Sequence, residues 1–380
     1  MDMDLVVHAP VSAKSSTASP PSTWSFSDIL KCPDIAARFA KVRGYFFLRE
    51  STYDMTRQCN IRCHGCYYYE GDKQNARDVV DPEAWRALMH AEKERGITFV
   101  VLAGAEPALV PELLEVCYRE IPLGAIASNG LVRIPPSVGY RIHISVWGND
   151  ATSQRTRQAK RMLARQMENY ADDDRAVFIY TFTRENIAES RAVVQELASK
   201  GCRVSFSVFS ATVDYSGPLS HTPASLGETR HTMLELLREF PEQVVFSPYS
   251  AAVHTDENSL HLLFSCPYPR RNPGQFGLGR SFRQYRSDLT WVREAACCVP
   301  DTNCADCRHY AAGSAIVTAR MNRHISSPEQ FRAWLDYVDT YLAVWVPGYA
   351  KGDNLCATPV SPSLAMGQDK RNGRAAGTAL

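Results

Sequence analysis

Between residues 45 and 215 one rhythm recurs about six times: a short run rich in β-branched and aromatic residues, then an amphipathic stretch of helical period. The candidate strands are Tyr45–Leu48, Ile97–Leu102, Gly124–Ala127, Arg141–Trp147, Ala176–Thr183 and Arg203–Phe209. A helix should start at Asp81-Pro82, with Asp as N-cap and Pro in the first turn. It carries Trp85, Leu88 and Met89 on one face and stops at Gly96. Further helices are expected over 111–120, 151–170 and 187–200. Strands separated by helices form a parallel sheet with crossover helices, so the fold class is α/β. The pattern does not separate an open doubly wound sheet from a barrel.

Outside this block the chain changes character. Residues 8–24 are rich in Ser, Ala and Pro, and the stretch from Pro347 onward is similar. The expected organisation is therefore a poorly ordered segment over 1–40, a core over 41–215, a C-terminal extension over 216–346 and a disordered tail over 347–380. One helix is clear in the extension: Ser327-Pro328 starts it, and Phe331, Trp334, Leu335, Val338, Leu342 and Trp345 form an apolar stripe suited to core packing. The 42 basic and 41 acidic side chains nearly cancel, so no global field gathers nucleic acid or an anionic membrane. The acidic start (MDMDLVVHAP) lacks the basic residues of a signal peptide, and no apolar run approaches the roughly 18 residues of a membrane span. A cytoplasmic location is expected, where thiols stay reduced. There, clustered cysteines among the 12 present point to metal ligation before disulfides.

The tightest cluster is Cys59-x3-Cys63-x2-Cys66. Thiolates are soft ligands that suit iron–sulfur clusters and zinc. A structural zinc site needs a fourth ligand, and His64 lies too close in the loop to complete the same site easily. Three ligands leave one iron of a [4Fe-4S] cluster open.

The segment CNIRCHGCYYYEG (59–71) resembles the cluster loop of the radical S-adenosylmethionine (SAM) superfamily, and it follows the first candidate strand, as in that family. The resemblance implies a partial (β/α)6 barrel with a small C-terminal metal-binding extension. It implies that SAM chelates the open iron and is cleaved reductively to a 5′-deoxyadenosyl radical, which takes hydrogen from a substrate. One departure is Gly65, where the family often has an aromatic residue beside the adenine; Tyr67 or Tyr68 is the candidate replacement. Weaker motifs follow in the family's order. Ala103-Gly104-Ala105-Glu106-Pro107 is similar to its Gly-Gly-Glu-Pro loop, which implies that Gly104 and Glu106 receive the SAM amino group. Ser128-Asn129-Gly130 resembles its third-strand turn, and Ser145 stands where a serine often reaches the SAM carboxylate or ribose.

A second group, Cys297-Cys298-x5-Cys304-x2-Cys307, resembles the twitch or SPASM extension of the same superfamily. That resemblance implies an auxiliary [4Fe-4S] cluster on Cys266, Cys298, Cys304 and Cys307, with Cys297 as substitute; a structural zinc on the same four is the alternative. Together these features imply an oxidoreductase-like radical SAM enzyme served by an electron donor such as flavodoxin or ferredoxin. The roughly 40 residues before the core favour a small-molecule substrate in natural-product biosynthesis over a peptide or protein to be matured. A non-catalytic zinc-binding module is the reading of another class. No nucleic-acid or membrane partner is expected, and the sequence offers no clear general base.

Overall fold

The structure is a computed structural model that describes residues 24–70, 77–211, 215, 217–264, 282–291, 303–309, 313 and 316–349. Cys266, Cys297 and Cys298 lie outside the described residues. Seven parallel strands form one sheet: β1 (Glu50–Asp54), β2 (Phe99–Ala103), β3 (Gly124–Ser128), β4 (Arg141–Val146), β5 (Ala176–Phe182), β6 (Val204–Val208) and β7 (Gln284–Tyr285). Their order is β6-β5-β4-β3-β2-β1-β7, so among the described residues the sheet is open at β6 and β7, a partial barrel. The first strand begins beyond Tyr45–Leu48, which is a turn. Glu50–Asp54 takes the place beside β2, in register Glu50 to Phe99.

Side chains alternate along each strand, as the pleat requires. Ile142, Ile144 and Val146 of β4, with Phe178, Tyr180 and Phe182 of β5, enter an outer core. That core is closed by α4 (Pro82–Glu94), α5 (Pro111–Glu120), α8 (Ser190–Ser199) and α9 (Pro223–Glu239). The N-cap read from sequence is present, with the Asp81 carboxylate accepting from the Glu83 amide. The core does not stop at residue 215. Helix α9 buries Leu226, Met233 and Leu236 in it, and Val244 bridges to Val204 of β6.

The stretch 151–170 is two helices, α6 (Asp150–Arg157) and α7 (Met162–Tyr170). Gln158 and Arg161 take positive φ between them, 55° and 49°. The break lets Ala159 and Met162 pack on Ile61 and Leu131 beside the cysteine loop, while Asp150 caps the Leu163 amide.

A second core fills the lower part of the barrel's concave side, with Phe99, Ala125, Val177 and Ile179 from the strands. Its other half comes from both ends of the described chain. Residues 24–40, expected to lack order, are helical from Phe26: α1 (Phe26–Ile29) has a capping box on Ser25, and α2 (Pro33–Arg43) follows. Phe26 and Phe39 pack on Phe331 of α12 (Pro328–Trp345), which follows α10 (Pro248–His254) and α11 (Leu260–Phe264), with ring centroids 5.7 and 5.8 Å apart. The whole apolar stripe of α12 is buried. Burying six such side chains is worth up to about 1.5–3 kcal/mol each, enough to make α12 part of the fold instead of an appendage. Its last turn explains the polar residues of β4. Arg141 donates to the Val346 carbonyl at 2.9 Å, His143 bonds the Val344 carbonyl at 2.9 Å, and Trp345 meets the His143 ring edge-on. These partners satisfy carbonyls that a helix end leaves open.

Candidate active site

Above α12 the concave side encloses a cavity of about 210 Å³. Small residues create the room: Ala103, Ala125, Ala127, Ser145 and Ser207 all face it. At its rim Gly65 belongs to the first cysteine loop, and His309 lies two residues after Cys307.

The loop after β1 carries Cys59, Cys63 and Cys66, none fully exposed. It is held from several sides. The Asp78 carboxylate accepts from the Thr56 hydroxyl at 2.6 Å and from the Arg57 amide at 2.9 Å. The His64 amide donates to the Thr156 carbonyl at 2.8 Å, tying the loop to α6. Arg157 of α6 is buried and donates its Nε–H to Cys63 Sγ at 3.3 Å, while its guanidinium also reaches the Ser145 carbonyl. Burial pushes the Cys66 thiol up to about 11 and also raises Cys59, and each neighbouring cysteine adds to the effect. Cationic iron held there would reverse that balance, because ligation removes the thiol protons. Among the described residues no three His, Cys, Asp or Glu side chains converge on a single metal ion. The donor set of thiols, with a cation already placed on one sulfur, fits an iron–sulfur cluster.

Gly104 follows β2 with φ 112°, and a Cβ there would lie 2.9 Å from the Met55 amide nitrogen and 3.0 Å from the Thr56 carbonyl. Only glycine brings this turn so close to the start of the cysteine loop. Glu106 follows two residues on. Its carboxylate is 1% exposed and turned into the protein. Oε1 accepts from the Ser128 hydroxyl at 2.8 Å and the Ala108 amide at 3.1 Å, and Oε2 accepts from the Asn129 amide at 2.7 Å. Three of about four acceptor positions are therefore taken. Burial raises its pKa despite these bonds. Ser128 and Asn129 are likewise engaged. The Asn129 side-chain amide donates to Asn60 at 2.6 Å and reaches Cys59 Sγ at 3.7 Å. Glu106, Ser128 and Asn129 thus form a brace from the β2 and β3 loops to the cysteine loop.

Glu106→Gln tests this reading. Each carboxylate oxygen faces a backbone N–H, so the amide group of Gln meets a donor in either orientation. The expected cost is about 1–3 kcal/mol, seen as a lower urea midpoint, with less iron retained after reconstitution. A midpoint equal to wild type would remove the brace.

Of the other expected residues, Ser145 does face the cavity. Tyr67 opens the short helix α3 (Tyr67–Glu70), and its side chain is outside the described residues. Tyr68 is buried and offers no surface to a ligand. The reason for Gly65 is visible: at φ 67°, a Cβ would come within 3.0 Å of the Phe209 ring. Phe209 packs edge-on against Trp147 and Tyr215, so aromatic surface at this place comes from the loops after β4 and β6. Cys304 and Cys307 flank a short turn fixed to the same rim by the Asn303 amide on the Ala211 carbonyl and the Arg308 amide on Ser210.

Two residues were missed from sequence. Arg157 sits in a strongly basic run that reads as a solvated face. Gln166, 1% exposed, donates to the carbonyls of Asn129 and Ser145 at the ends of β3 and β4. No local pattern marks either.

No protein-family profile matches the chain. A curated protein, the S-adenosylmethionine-dependent nucleotide dehydratase of a Thermoplasmatales archaeon (strain ISO4-H5), is 34% identical over 76 residues. That match spans 19% of this chain and about a quarter, 26%, of the relative. Among solved structures, Streptococcus suis SuiB bound to S-adenosylmethionine aligns with a TM-score of 0.49 at 14% identity, over 72% of this chain and 67% of that one. SuiB bound to the precursor peptide SuiA aligns at 0.48 and 13%, over 76% and 68%. Methylornithine synthase (PylB) aligns at 0.38 and 13%, over 60% and 75%. Among the described residues, no helix is long and apolar enough to cross a membrane.

Proposed function

We propose that this chain is a radical SAM enzyme acting on a small polar molecule. The observation that carries the proposal is the cysteine loop at the mouth of the partial barrel, braced by Asn129 and Arg157 and meeting through Gly65 the cavity on the concave side. Cys59, Cys63 and Cys66 would hold a [4Fe-4S] cluster, with SAM at its open iron. Bound there, the pair supplies a carbon-centred radical able to take a hydrogen atom from a substrate.

The protein's own residues have separate tasks. The turn at residues 103–105 would be the place for the SAM amino group, while Glu106 fixes the turn from behind. Trp147 and Phe209 offer aromatic surface for an adenine. The substrate would lie deeper, where Thr52, Ser145, Thr181 and Ser207 bring hydroxyls and Glu50 and His143 bring further polar groups. His143 stays neutral, since burial holds its pKa down at about 4. A volume of about 210 Å³ lies below the roughly 300–1,000 Å³ of drug-sized sites, which favours a compact substrate. Cys304 and Cys307, with Cys266 and Cys298, would hold an auxiliary [4Fe-4S] cluster on the same rim, suited to receiving an electron in a net oxidation.

The test is anaerobic reconstitution with iron and sulfide, followed by reduction with dithionite in the presence of SAM. Methionine and 5′-deoxyadenosine should form. A protein that binds zinc instead and leaves SAM intact would overturn the proposal.

A further inference from the structure

The Ser and Thr side chains on the strands divide by what they face. Away from the cavity each has a partner in the fold. Ser51 accepts from Arg95 at 3.0 Å and from the Arg283 amide at 3.2 Å. Ser128 donates to Glu106 at 2.8 Å, and Ser205 donates to the Val245 carbonyl at 2.9 Å. Thr52 of β1, Ser145 of β4, Thr181 of β5 and Ser207 of β6 instead line the cavity of about 210 Å³. Among the described residues, no protein group bonds to any of these four hydroxyls.

Buried parallel strands are normally apolar on both faces. Lower on the same concave side the strands follow that rule, with Phe99 and Val177. A hydroxyl withdrawn from bulk water without a partner costs stability. Val and Ala have nearly the shapes of Thr and Ser and would line the cavity without that cost. Four hydroxyls kept there together therefore point to a partner that arrives from outside the fold.

Their placement narrows the partner's chemistry. In the sheet they lie on β6, β5, β4 and β1, while the strands between, β3 and β2, present Ala125, Ala127 and Ala103. The cavity thus has hydroxyls on two sides, methyl groups on a third and Trp345 of α12 at its floor. Each Ser or Thr hydroxyl donates one hydrogen bond and accepts up to two. Such groups match other hydroxyls in either direction, so they suit a ligand that carries several around its edge. Methyl groups and an indole suit the C–H surface of a ring.

We infer that the substrate is a cyclic polyol, a sugar or a cyclitol, with its edge on these four hydroxyls and its C–H faces on the alanines and Trp345. The inference rests on the proposed radical SAM reading, which supplies the reaction. The hydroxyl array supplies the substrate class.

The experiment titrates the reconstituted full-length enzyme anaerobically by calorimetry, with SAM present. The probes are D-glucose and D-xylose for the sugars, myo-inositol and scyllo-inositol for the cyclitols, and cyclohexanol as a ring with one hydroxyl. At least one polyol should bind about tenfold or more tighter than cyclohexanol, and which polyol does so separates sugar from cyclitol. Thr181→Val and Ser207→Ala each remove one hydroxyl at nearly constant shape. Each should weaken that polyol by about 2- to 12-fold and leave cyclohexanol within about twofold. Ser205→Ala, which loses a hydroxyl already bonded to Val245, should change neither affinity. With the ring carbons of the tightest polyol deuterated, SAM cleavage under dithionite should leave deuterium in 5′-deoxyadenosine, one ring C–D bond breaking as one forms at the 5′ carbon. Polyols that bind no better than cyclohexanol would overturn the substrate class, as would unchanged polyol affinity in a folded Thr181→Val/Ser207→Ala enzyme. So would 5′-deoxyadenosine free of deuterium. Binding is read without turnover, so failure of wild type to cleave SAM with dithionite is a separate result, which overturns the radical SAM reading itself.

Discussion

Replacing Cys59, Cys63 and Cys66 together by Ala should abolish SAM cleavage under dithionite without unfolding the chain. The three side chains are only partly buried, and the apolar residues around them form a small satellite cluster separate from the two main cores. Truncating them removes little packing, so the circular dichroism spectrum and urea midpoint should stay near those of iron-free wild type. Activity should not survive, because the loop from Met55 to Cys66 keeps no other thiol to ligate iron in their place. Iron content gives a second readout. If both cysteine groups hold cubanes, reconstituted wild type carries about eight irons and the triple variant about four, still absorbing visible light. A colourless variant with one zinc per chain would sink the auxiliary cluster and leave the first assignment standing. Formation of 5′-deoxyadenosine by the triple variant at the wild-type rate would sink the first.

Helix starts and strand positions were largely legible in the sequence because they are local. Asp81-Pro82 and Ser327-Pro328 are capping signals, and the alternation in RIHISV places Ile142 and Ile144 outward and His143 and Ser145 inward. The cysteine loop stood out because its three thiols recur at close spacing, and all three lie on the loop after β1. What the sequence could not show was partnership across distance. Glu106 in a Gly-Glu-Pro-like turn reads as a ligand for an ammonium, yet two donors to its carboxylate lie 22 and 23 residues away, on Ser128 and Asn129. Arg157 and the exposed cations beside it are alike in sequence. Only the turn at Gln158–Arg161, with its two positive φ angles, sends one to a sulfur and the others to solvent. The N-terminal helices were missed because their Ser- and Pro-rich surroundings resemble a linker, whereas Phe26 and Phe39 are ordered by Phe331, some 300 residues on.

Acid should unfold this protein at a mildly low pH, because three buried histidines must charge to follow the chain into water. His143, His254 and His324 are each held down from the ordinary 6.5 to about 4, with burial the main cause in every case. Geometry fixes the neutral form of two of them. His254 has one ring nitrogen on the Arg308 carbonyl and the other on the Tyr337 hydroxyl, and His324 repeats the arrangement with the Arg320 carbonyl and Tyr249. A carbonyl can only accept, so the first nitrogen carries the hydrogen and the second accepts from the phenol. A second proton would force that phenol hydrogen away. His143 faces the Val344 carbonyl with Arg141 nearby, which further opposes a positive ring. The folded pKa lies below the unfolded one, so the unfolded chain binds more protons between pH 6.5 and 4. The stabilisation is complete above 6.5 and lost as pH falls through that window. Near pH 5 two to three protons are taken up on unfolding, a slope of about 3–4 kcal/mol per pH unit. The loss from pH 6.5 to 5 is about 5 kcal/mol, a large part of a typical domain's stability. Glu106 acts in the opposite sense, since its raised pKa favours the folded state at low pH, but it is one group against three. The measurement is a series of urea unfolding curves between pH 7 and 5, on the triple cysteine variant so that acid release of the cluster that Cys59, Cys63 and Cys66 would hold does not enter. A midpoint unchanged across that range would show that the three rings are not buried neutral, and His324→Gln should remove about a third of the slope if they are.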